Sequence, residues 1–88
     1  MKYIYFLQSR KYNKYIYVGL TNNLKRRFSE HNSDKSKLST APYRPFTLIG
    51  YIALKVESKA RELEQYFKSG SGRAFLKKRI LPGEAQRA

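Results

Sequence analysis

The sequence has no cysteine, which excludes disulfide bonds, thiol catalysis and thiolate zinc sites. It has a single histidine, His31, so a histidine-based structural metal site is not expected either. Acidic residues are scarce. The six are Glu30, Asp34, Glu57, Glu62, Glu64 and Glu84. They form no paired carboxylate cluster, so we do not expect a two-metal site built by protein ligands alone.

Long apolar segments are also missing, and no stretch approaches the length needed to span a bilayer. The apolar start, residues 3–7, is too short to be a signal peptide and is soon interrupted by polar residues. We therefore expect a soluble, intracellular (cytoplasmic) protein that does not bind membranes.

Positive charge is the abundant feature. Nineteen lysines and arginines against six acids give a formal net charge of +13, and the basic residues are spread along all 88 positions. Such a field attracts polyanions. Nucleic acid is the partner we expect; an anionic membrane surface is the second-ranked candidate and is not chosen. An apolar content of 41% supports one modest core. We expect one domain over residues 1–80 and a C-terminal tail over 81–88.

The pattern of apolar, aromatic and turn residues predicts six elements in the order β-β-α-β-α-α. The strands are predicted at 2–7, 14–19 and 46–54, and the helices at 22–32, 59–69 and 73–80. Thr21 or Asn22 is expected to cap the first helix and Ser58 the second, and Ser69–Gly72 is expected to separate the last two. The predicted fold is α+β, a small three-stranded antiparallel sheet with flanking helices.

Side-chain placement follows from the same pattern. If the hairpin turn centres on Lys11, Tyr5 and Tyr17 lie opposite each other and share a face of the sheet, although a one-residue slip would separate them. Arg27 and His31 are four residues apart and share a helix face. The inward-facing apolar residues are expected to be Leu20, Leu24 and Phe28; Ala60, Leu63 and Phe67; and Phe75, Leu76 and Ile80.

Several segments, taken in order, resemble a known family. They are Tyr3-Ile4-Tyr5, Tyr17-Val18-Gly19, the stretch 19–32 with Arg27 and His31, the stretch 43–46, and the stretch 58–70 with Glu64. Together they resemble the GIY-YIG nucleases over roughly residues 2–79, and in particular small stand-alone members similar to the N-terminal nuclease domain of excinuclease C. Tyr3 stands where the family name has glycine.

The resemblance implies metal-dependent hydrolysis of DNA, with a link to DNA repair. It implies catalytic roles for Tyr5, Tyr17, Arg27, His31 and Glu64. Glu64 would be the ligand of one Mg²⁺ or Mn²⁺, and Gly19 would be the closing glycine of the motif. Without an appended specificity domain in these residues, we expect structure-directed or weakly sequence-specific cleavage. The basic residues expected to contact nucleic acid are Lys25, Arg26, Arg44, Lys68 and Arg73.

The chemistry of these residue types fits such roles. A single carboxylate, with water and substrate phosphate, suits a hard divalent cation. The planar fork of Arg27 can grip a phosphate. Tyr5, Tyr17 or His31 could orient or deprotonate water, and a phenol needs a nearby cation to act as a base at neutral pH.

Structural roles are the alternatives. Tyrosines in strands usually pack, and an arginine on a helix is usually solvated. His31 could be favoured by the dipole at a helix C-terminus, and Glu64 could pair with Lys68 at i,i+4. One other function stays open: a basic module of the same fold that binds nucleic acid without cutting or cuts only with a partner. An RNA-binding domain that stacks bases on tyrosines is disfavoured, because the tyrosines sit at motif positions.

Overall fold

The structure is a computed structural model that describes residues 1–81. The strands are β1 (Lys2–Ser9), β2 (Ile16–Thr21) and β3 (Phe46–Leu54), and the helices are α1 (Leu24–Asn32), α2 (Glu57–Lys68) and α3 (Gly70–Arg79). A single turn of 3-10 helix, Ala41–Tyr43, precedes β3. The predicted α+β class and element order are confirmed. The predicted tail over 81–88 lies, except for Leu81, outside the described residues.

The sheet is antiparallel in the order β2-β1-β3, so β1 is its central strand. Tyr5 is paired with Gly19, and Tyr17 is paired with Leu7. The expectation that Tyr5 and Tyr17 lie directly opposite each other is therefore wrong by two positions. Because side chains alternate with a period of two, the shift leaves both phenols on the same face as diagonal neighbours.

The hairpin turn explains this register. The Ser9 hydroxyl accepts hydrogen bonds from the backbone N–H groups of Lys11 (3.1 Å) and Tyr12 (2.9 Å). The backbone N–H of Ser9 in turn donates to the carbonyl of Tyr15 at 3.0 Å. These bonds hold a tight loop centred on Tyr12 rather than Lys11, because the polar side chain of Ser9 satisfies turn N–H groups that have no strand partner.

A β-bulge interrupts the pairing of β1 with β3. Phe6 is paired with Gly50 and Leu7 with Leu48, so Ile49 is an extra residue without an opposite partner. The extra residue changes which β3 side chains share a face. Leu48 and Tyr51, three positions apart, both line the same surface groove.

Each face of the sheet carries its own apolar cluster. On the first, which we call the α1 face, the buried residues are Tyr5, Leu7 and Phe46, and the partly buried residues include Tyr17, Leu24 and Phe28. On the second, the α2–α3 face, the buried residues are Ile4, Phe6, Val18, Ala60, Phe67 and Leu76. The sheet is thus covered on both sides, and the predicted core residues are divided between two layers.

Some predicted packing positions differ from the structure. Leu20 belongs to β2 and packs on the α2–α3 face rather than with Leu24 and Phe28. Phe75 is 45% exposed. Leu76 is the buried side chain of α3, and Ile80 is partly buried beside it. The predicted inward placement of Phe75 is wrong, because helical spacing allows only one of two adjacent residues to point fully at the core.

Helix boundaries depend on caps that differ from those predicted. Asn23, rather than Thr21 or Asn22, caps α1, and its side chain accepts a hydrogen bond from the N–H of Arg26 at 3.0 Å. The N-cap of α2 is Val56, which makes no side-chain cap, so Ser58 does not cap this helix. In both cases the helix begins two residues away from the predicted start.

Ser69 forms the junction between the last two helices. It is the C-cap of α2 and the N-cap of α3, and its hydroxyl accepts a hydrogen bond from the N–H of Gly72 at 3.2 Å. The predicted break is therefore a single residue, and Gly70–Gly72 already form the first turn of α3. A Cβ on Gly72 would collide with the backbone of Tyr66, whereas one on Gly70 would meet nothing within 4 Å.

No helix within residues 1–81 is both long enough and apolar enough to cross a membrane.

Candidate active site

The centre of the α1 face is a buried chain of three side chains. The Tyr5 hydroxyl lies 2.8 Å from His31 Nε2, and His31 Nδ1 lies 2.7 Å from Thr40 Oγ1. Each of the three residues is 1% exposed. These three hydrogen-bonded side chains connect the central strand, α1 and the loop before β3. Burying three polar groups together is stable only because each has a partner.

Gly19 lets Tyr5 occupy this position. A Cβ at residue 19 would lie 2.7 Å from Tyr5 Cε1, and still closer to Cζ and the hydroxyl. The phenol ring therefore lies directly over the glycine of the paired strand. The closing glycine of the motif is required by this close approach and not by an unusual backbone angle, since the described residues include no glycine with positive φ.

Tyr17 completes an aromatic group around His31. Its ring centroid lies 5.0 Å from that of His31 and 6.1 Å from that of Tyr5. Unlike Tyr5, Tyr17 is only partly buried. Of the two phenols, Tyr17 is therefore the one that solvent and a bound substrate can reach.

Burial sets the protonation of the inner pair. It raises the pKa of Tyr5 to about 12, the nearby Tyr17 phenol acts in the same direction, and Arg27 lowers the pKa by less. Burial, and then the positive charge of Arg27, lowers the pKa of His31 to about 4. At neutral pH Tyr5 is protonated and His31 is uncharged.

Two arrangements of protons satisfy the buried chain, because a neutral imidazole donates from one nitrogen and accepts at the other. In one, the Tyr5 hydroxyl donates to Nε2 of His31, and Nδ1–H donates to Thr40. In the other, the Thr40 hydroxyl donates to Nδ1, and Nε2–H donates to the Tyr5 oxygen. Only the second leaves the Tyr5 proton available for a further partner.

Arg27 lies beside this cluster on α1. Its Nη1 donates to Glu30 Oε1 at 2.9 Å, and the side chain is 34% exposed. Hydrogen bonding to Glu30 raises the pKa of Arg27, although burial opposes this. Glu30 occupies one arm of the guanidinium, which has five N–H donors in all. The ion pair thus fixes the direction of the side chain and leaves donors for a phosphate.

Glu64 stands apart from the cluster. It lies on α2, which packs on the opposite face of the sheet. Its Oε2 is 2.9 Å from Lys68 Nζ, so the i,i+4 ion pair expected for a structural role is present. Its Oε1 accepts a hydrogen bond from the side chain of Gln65 at 3.1 Å. The side chain is only 12% exposed, whereas those of Glu62 and Glu57 are 69% and 52% exposed. Burial to this degree is unusual for an i,i+4 surface pair.

The residues expected to bind nucleic acid are distributed around the molecule. Lys25 and Arg26 are exposed on α1, and Arg26 lies 3.8 Å from Glu30. Arg44 donates to the carbonyls of Ala41 and Asp34, and Arg73 donates to the carbonyl of Ile16. Lys68 is engaged with Glu64. Arg44, Lys68 and Arg73 thus have structural partners in addition to any contact with nucleic acid.

Two residues of the site were missed in the sequence. Thr40 lies in a polar loop, nine positions after its partner His31, and no periodic pattern joins the two. Glu30 holds Arg27 at a spacing of i,i+3, and that pairing could have been found from helical spacing alone.

Comparison with known protein families agrees with this arrangement. The sequence profile of the GIY-YIG catalytic domain matches residues 1–79, most of the chain. The chain belongs to the GIY-YIG family, whose catalytic domain is a nuclease domain, so the resemblance noted from the sequence is confirmed. The closer similarity to excinuclease C stays a prediction. Comparison with curated proteins and with solved structures gave no match.

Proposed function

We propose that this chain is a DNA endonuclease that depends on one divalent metal ion, Mg²⁺ or Mn²⁺. The observation that carries the proposal is the buried chain from Tyr5 through His31 to Thr40. It fixes a phenol beside Tyr17 and Arg27, on a domain with a net charge of +13. A packing role for Tyr5 would require neither the buried histidine nor the glycine beneath its ring.

Within this site Tyr17 is the residue that orients or deprotonates the attacking water. It is the accessible phenol, and the positive charge of Arg27 acts on Tyr5 and His31, whose rings lie beside that of Tyr17. Tyr5 is a hydrogen-bond donor or a support for Tyr17, because a pKa of about 12 keeps it protonated at neutral pH. His31, buried and uncharged, is a positioning residue that holds the oxygen of Tyr5 and does not touch the substrate.

Arg27 binds the phosphate that is cleaved. Beside it, the loop after α1 forms a groove lined by Arg27, Glu30, Ser33, Lys35, Ser36, Lys37 and Leu38. Two lysines in this groove offer positive charge to the phosphates next to the cleaved one. An arginine held in place before the reaction stabilises the charge that develops on the phosphoryl oxygens without having to reorganise.

Glu64 is the residue that would hold the metal. The donor chemistry fits only in part: the carboxylate is a hard ligand, but residues 1–81 contain no group of three or more acidic, histidine or cysteine side chains that could enclose an ion. Water and phosphate oxygens would have to complete the coordination. A bound Mg²⁺ or Mn²⁺ would neutralise phosphate charge and lower the pKa of a coordinated water.

We place the substrate at the outer edge of β2, because this edge lies between the two faces of the sheet that carry these groups. β2 is an edge strand, with Tyr17 on the α1 face, and α2 contacts the same strand from the other side. A DNA strand lying across this edge can meet Tyr17 and Arg27 from one face and Glu64 from the other. In this arrangement the substrate phosphate joins the two halves of the site.

The test is incubation with end-labelled duplex, nicked, forked and flap DNA, with and without Mg²⁺ or Mn²⁺. We expect cleavage only with metal, and faster cleavage of the branched substrates than of the plain duplex. If the DNA is bound with metal present but stays intact in every case, the chain is a binding module or needs a partner to cut. Cleavage of RNA alone would contradict the choice of DNA.

Glu64→Gln tests the metal ligand, and Glu62→Gln is its matched control on the same helix. Glu64→Gln should abolish cleavage while DNA binding stays equal or becomes tighter, because one negative charge is removed. Glu62→Gln removes the same charge from a 69% exposed position and should cut normally. Full activity of Glu64→Gln would refute the assignment.

A further inference from the structure

An aromatic groove lies next to the candidate site, on the same face of the sheet. It is lined by Tyr3, Asn22, Asn23, Leu24, Lys25, Phe28, Leu48 and Tyr51. Tyr3 belongs to β1, two positions from Tyr5, so both side chains leave the strand on the α1 face. The groove adjoins the candidate site, because Leu24, Phe28 and Leu48 of its lining pack in the same apolar cluster as Tyr5 and Tyr17.

Two tyrosine rings shape this groove. The centroids of Tyr3 and Tyr51 are 5.8 Å apart, and their planes meet at 70°. Tyr51 is 54% exposed, and only Tyr12 at the hairpin turn, at 53%, is similarly exposed among the tyrosines described. One ring can serve as the stacking surface for a flat ligand while the other contacts the ligand's edge.

The β-bulge at Ile49 creates the arrangement. Without the extra residue, Leu48 and Tyr51 would point to opposite faces, because three positions in a regular strand reverse the direction. With it, the partly buried Leu48 and the exposed Tyr51 both line the same groove. Bulges often redirect a side chain beside a functional site.

We propose that this groove binds one unpaired nucleobase of the DNA substrate, stacked on Tyr51, beside the cleaved phosphate. The inference rests on the proposed function for its choice of DNA. Exposed tyrosine, flanking amide groups and Lys25 at the rim match a base with its attached phosphate. A second copy of the chain is disfavoured as the occupant, because two molecules of charge +13 repel each other. Tyr3, the departure from the family name, thereby has a role.

The experiment measures binding without metal, so its result does not depend on cleavage. A fluorescein-labelled duplex with one unpaired thymine is compared with the same duplex that carries an abasic site at that position. We expect the wild-type protein to bind the thymine form more tightly, by about 5- to 150-fold in Kd, the range typical of base–aromatic stacking. Equal binding of the two duplexes would overturn the proposal.

Variants identify the residue. Tyr51→Ala should bind both duplexes equally, and Tyr51→Phe should keep most of the preference because the ring remains. Tyr66→Ala is the control, since Tyr66 is 41% exposed on α2.

Two outcomes would contradict the proposal. One is a Tyr51→Ala variant that still prefers the thymine duplex. The other is a wild-type protein that sediments as a dimer and a Tyr51→Ala variant that sediments as a monomer, because a second copy would then cover the groove. If the protein cuts DNA but binds the thymine and abasic duplexes equally, only the base-binding proposal is refuted. If it prefers the thymine duplex but does not cut DNA, only the proposed nuclease activity is refuted.

Discussion

The two phenols of the candidate site differ in burial, and substitution should separate their roles. Tyr17→Phe removes a hydroxyl from a partly exposed ring, so stability should change little and activity should fall by about 10²–10⁴-fold. Tyr5→Phe leaves Nε2 of His31 without its partner in the core, so we expect a loss of about 1–3 kcal/mol of stability as well as activity. Urea denaturation and single-turnover cleavage measure the two effects.

Tyr12→Phe, at an exposed position in the hairpin turn, is the control and should change neither quantity. Unaltered cleavage by both the Tyr5 and the Tyr17 variants would mean that the phenols only pack.

The buried histidine predicts how stability depends on pH. An unfolded histidine has a pKa near 6.5, and folding lowers that of His31 to about 4, so the unfolded state binds more protons between these values. Stability should be fully present above about pH 6.5 and fall progressively toward pH 4, by an amount on the order of 3 kcal/mol. Urea midpoints at pH 7, 5.5 and 4 measure it.

His31→Gln removes the titration and retains a polar side chain. Its stability at pH 7 should be lower, but its slope between pH 7 and pH 4 should be flatter than that of the wild type. An identical slope in the two proteins would assign the pH dependence to other groups.

Among individual residues, the sequence was sufficient to find those that belong to the two half-motifs in the opening strands. Tyr5, Tyr17 and Gly19 could be placed near one another because strands and hairpins have local signals. Thr40 could not, because its contact with His31 forms only when a loop without a periodic pattern folds onto the sheet. The low pKa of His31 was equally hidden, since it depends on burial in the assembled core.

Among the structural elements, the junction between α2 and α3 gives the clearest prediction. Gly72→Ala would force a Cβ into the backbone of Tyr66, so it should destabilise the protein by several kcal/mol or displace α3. Gly70→Ala, two residues earlier in open space, should be neutral or stabilise by up to about 1 kcal/mol. Thermal melting compares the pair, and equal effects would contradict the close approach.

Element types were predictable and their alignment was not. Aromatic and β-branched runs identified the three strands, and the stripe of Ala60, Leu63 and Phe67 identified α2. The hairpin register depended on how the Ser9 hydroxyl satisfies the turn. The one local signal of the bulge at Ile49 is the neighbouring Gly50, and an isolated glycine in a strand does not fix where a bulge falls. Both are decided by hydrogen bonds between segments rather than by local preference.

For the whole molecule, charge should dominate binding. On duplex DNA the logarithm of the binding constant should fall against the logarithm of salt concentration with a slope of about −0.9 per phosphate contacted. Lys25→Ala, on the α1 face, should make this slope shallower by about 1. Lys59→Ala, which is 70% exposed on α2, is the control. Fluorescence anisotropy at salt concentrations from about 50 to about 200 mM measures the slope of each variant. Equal slopes for the two variants would mean that DNA does not contact Lys25.

The central position of β1 has a consequence for biosynthesis. β1 is synthesised before β3, which pairs along one of its edges and begins at Phe46. Until β3 leaves the ribosome, that edge of β1 has no partner, and such an edge is prone to pair with another chain. Residues 1–45 carry ten lysines and arginines against two acids. The positive charge that we propose attracts DNA to the finished protein should therefore also keep unfinished chains apart.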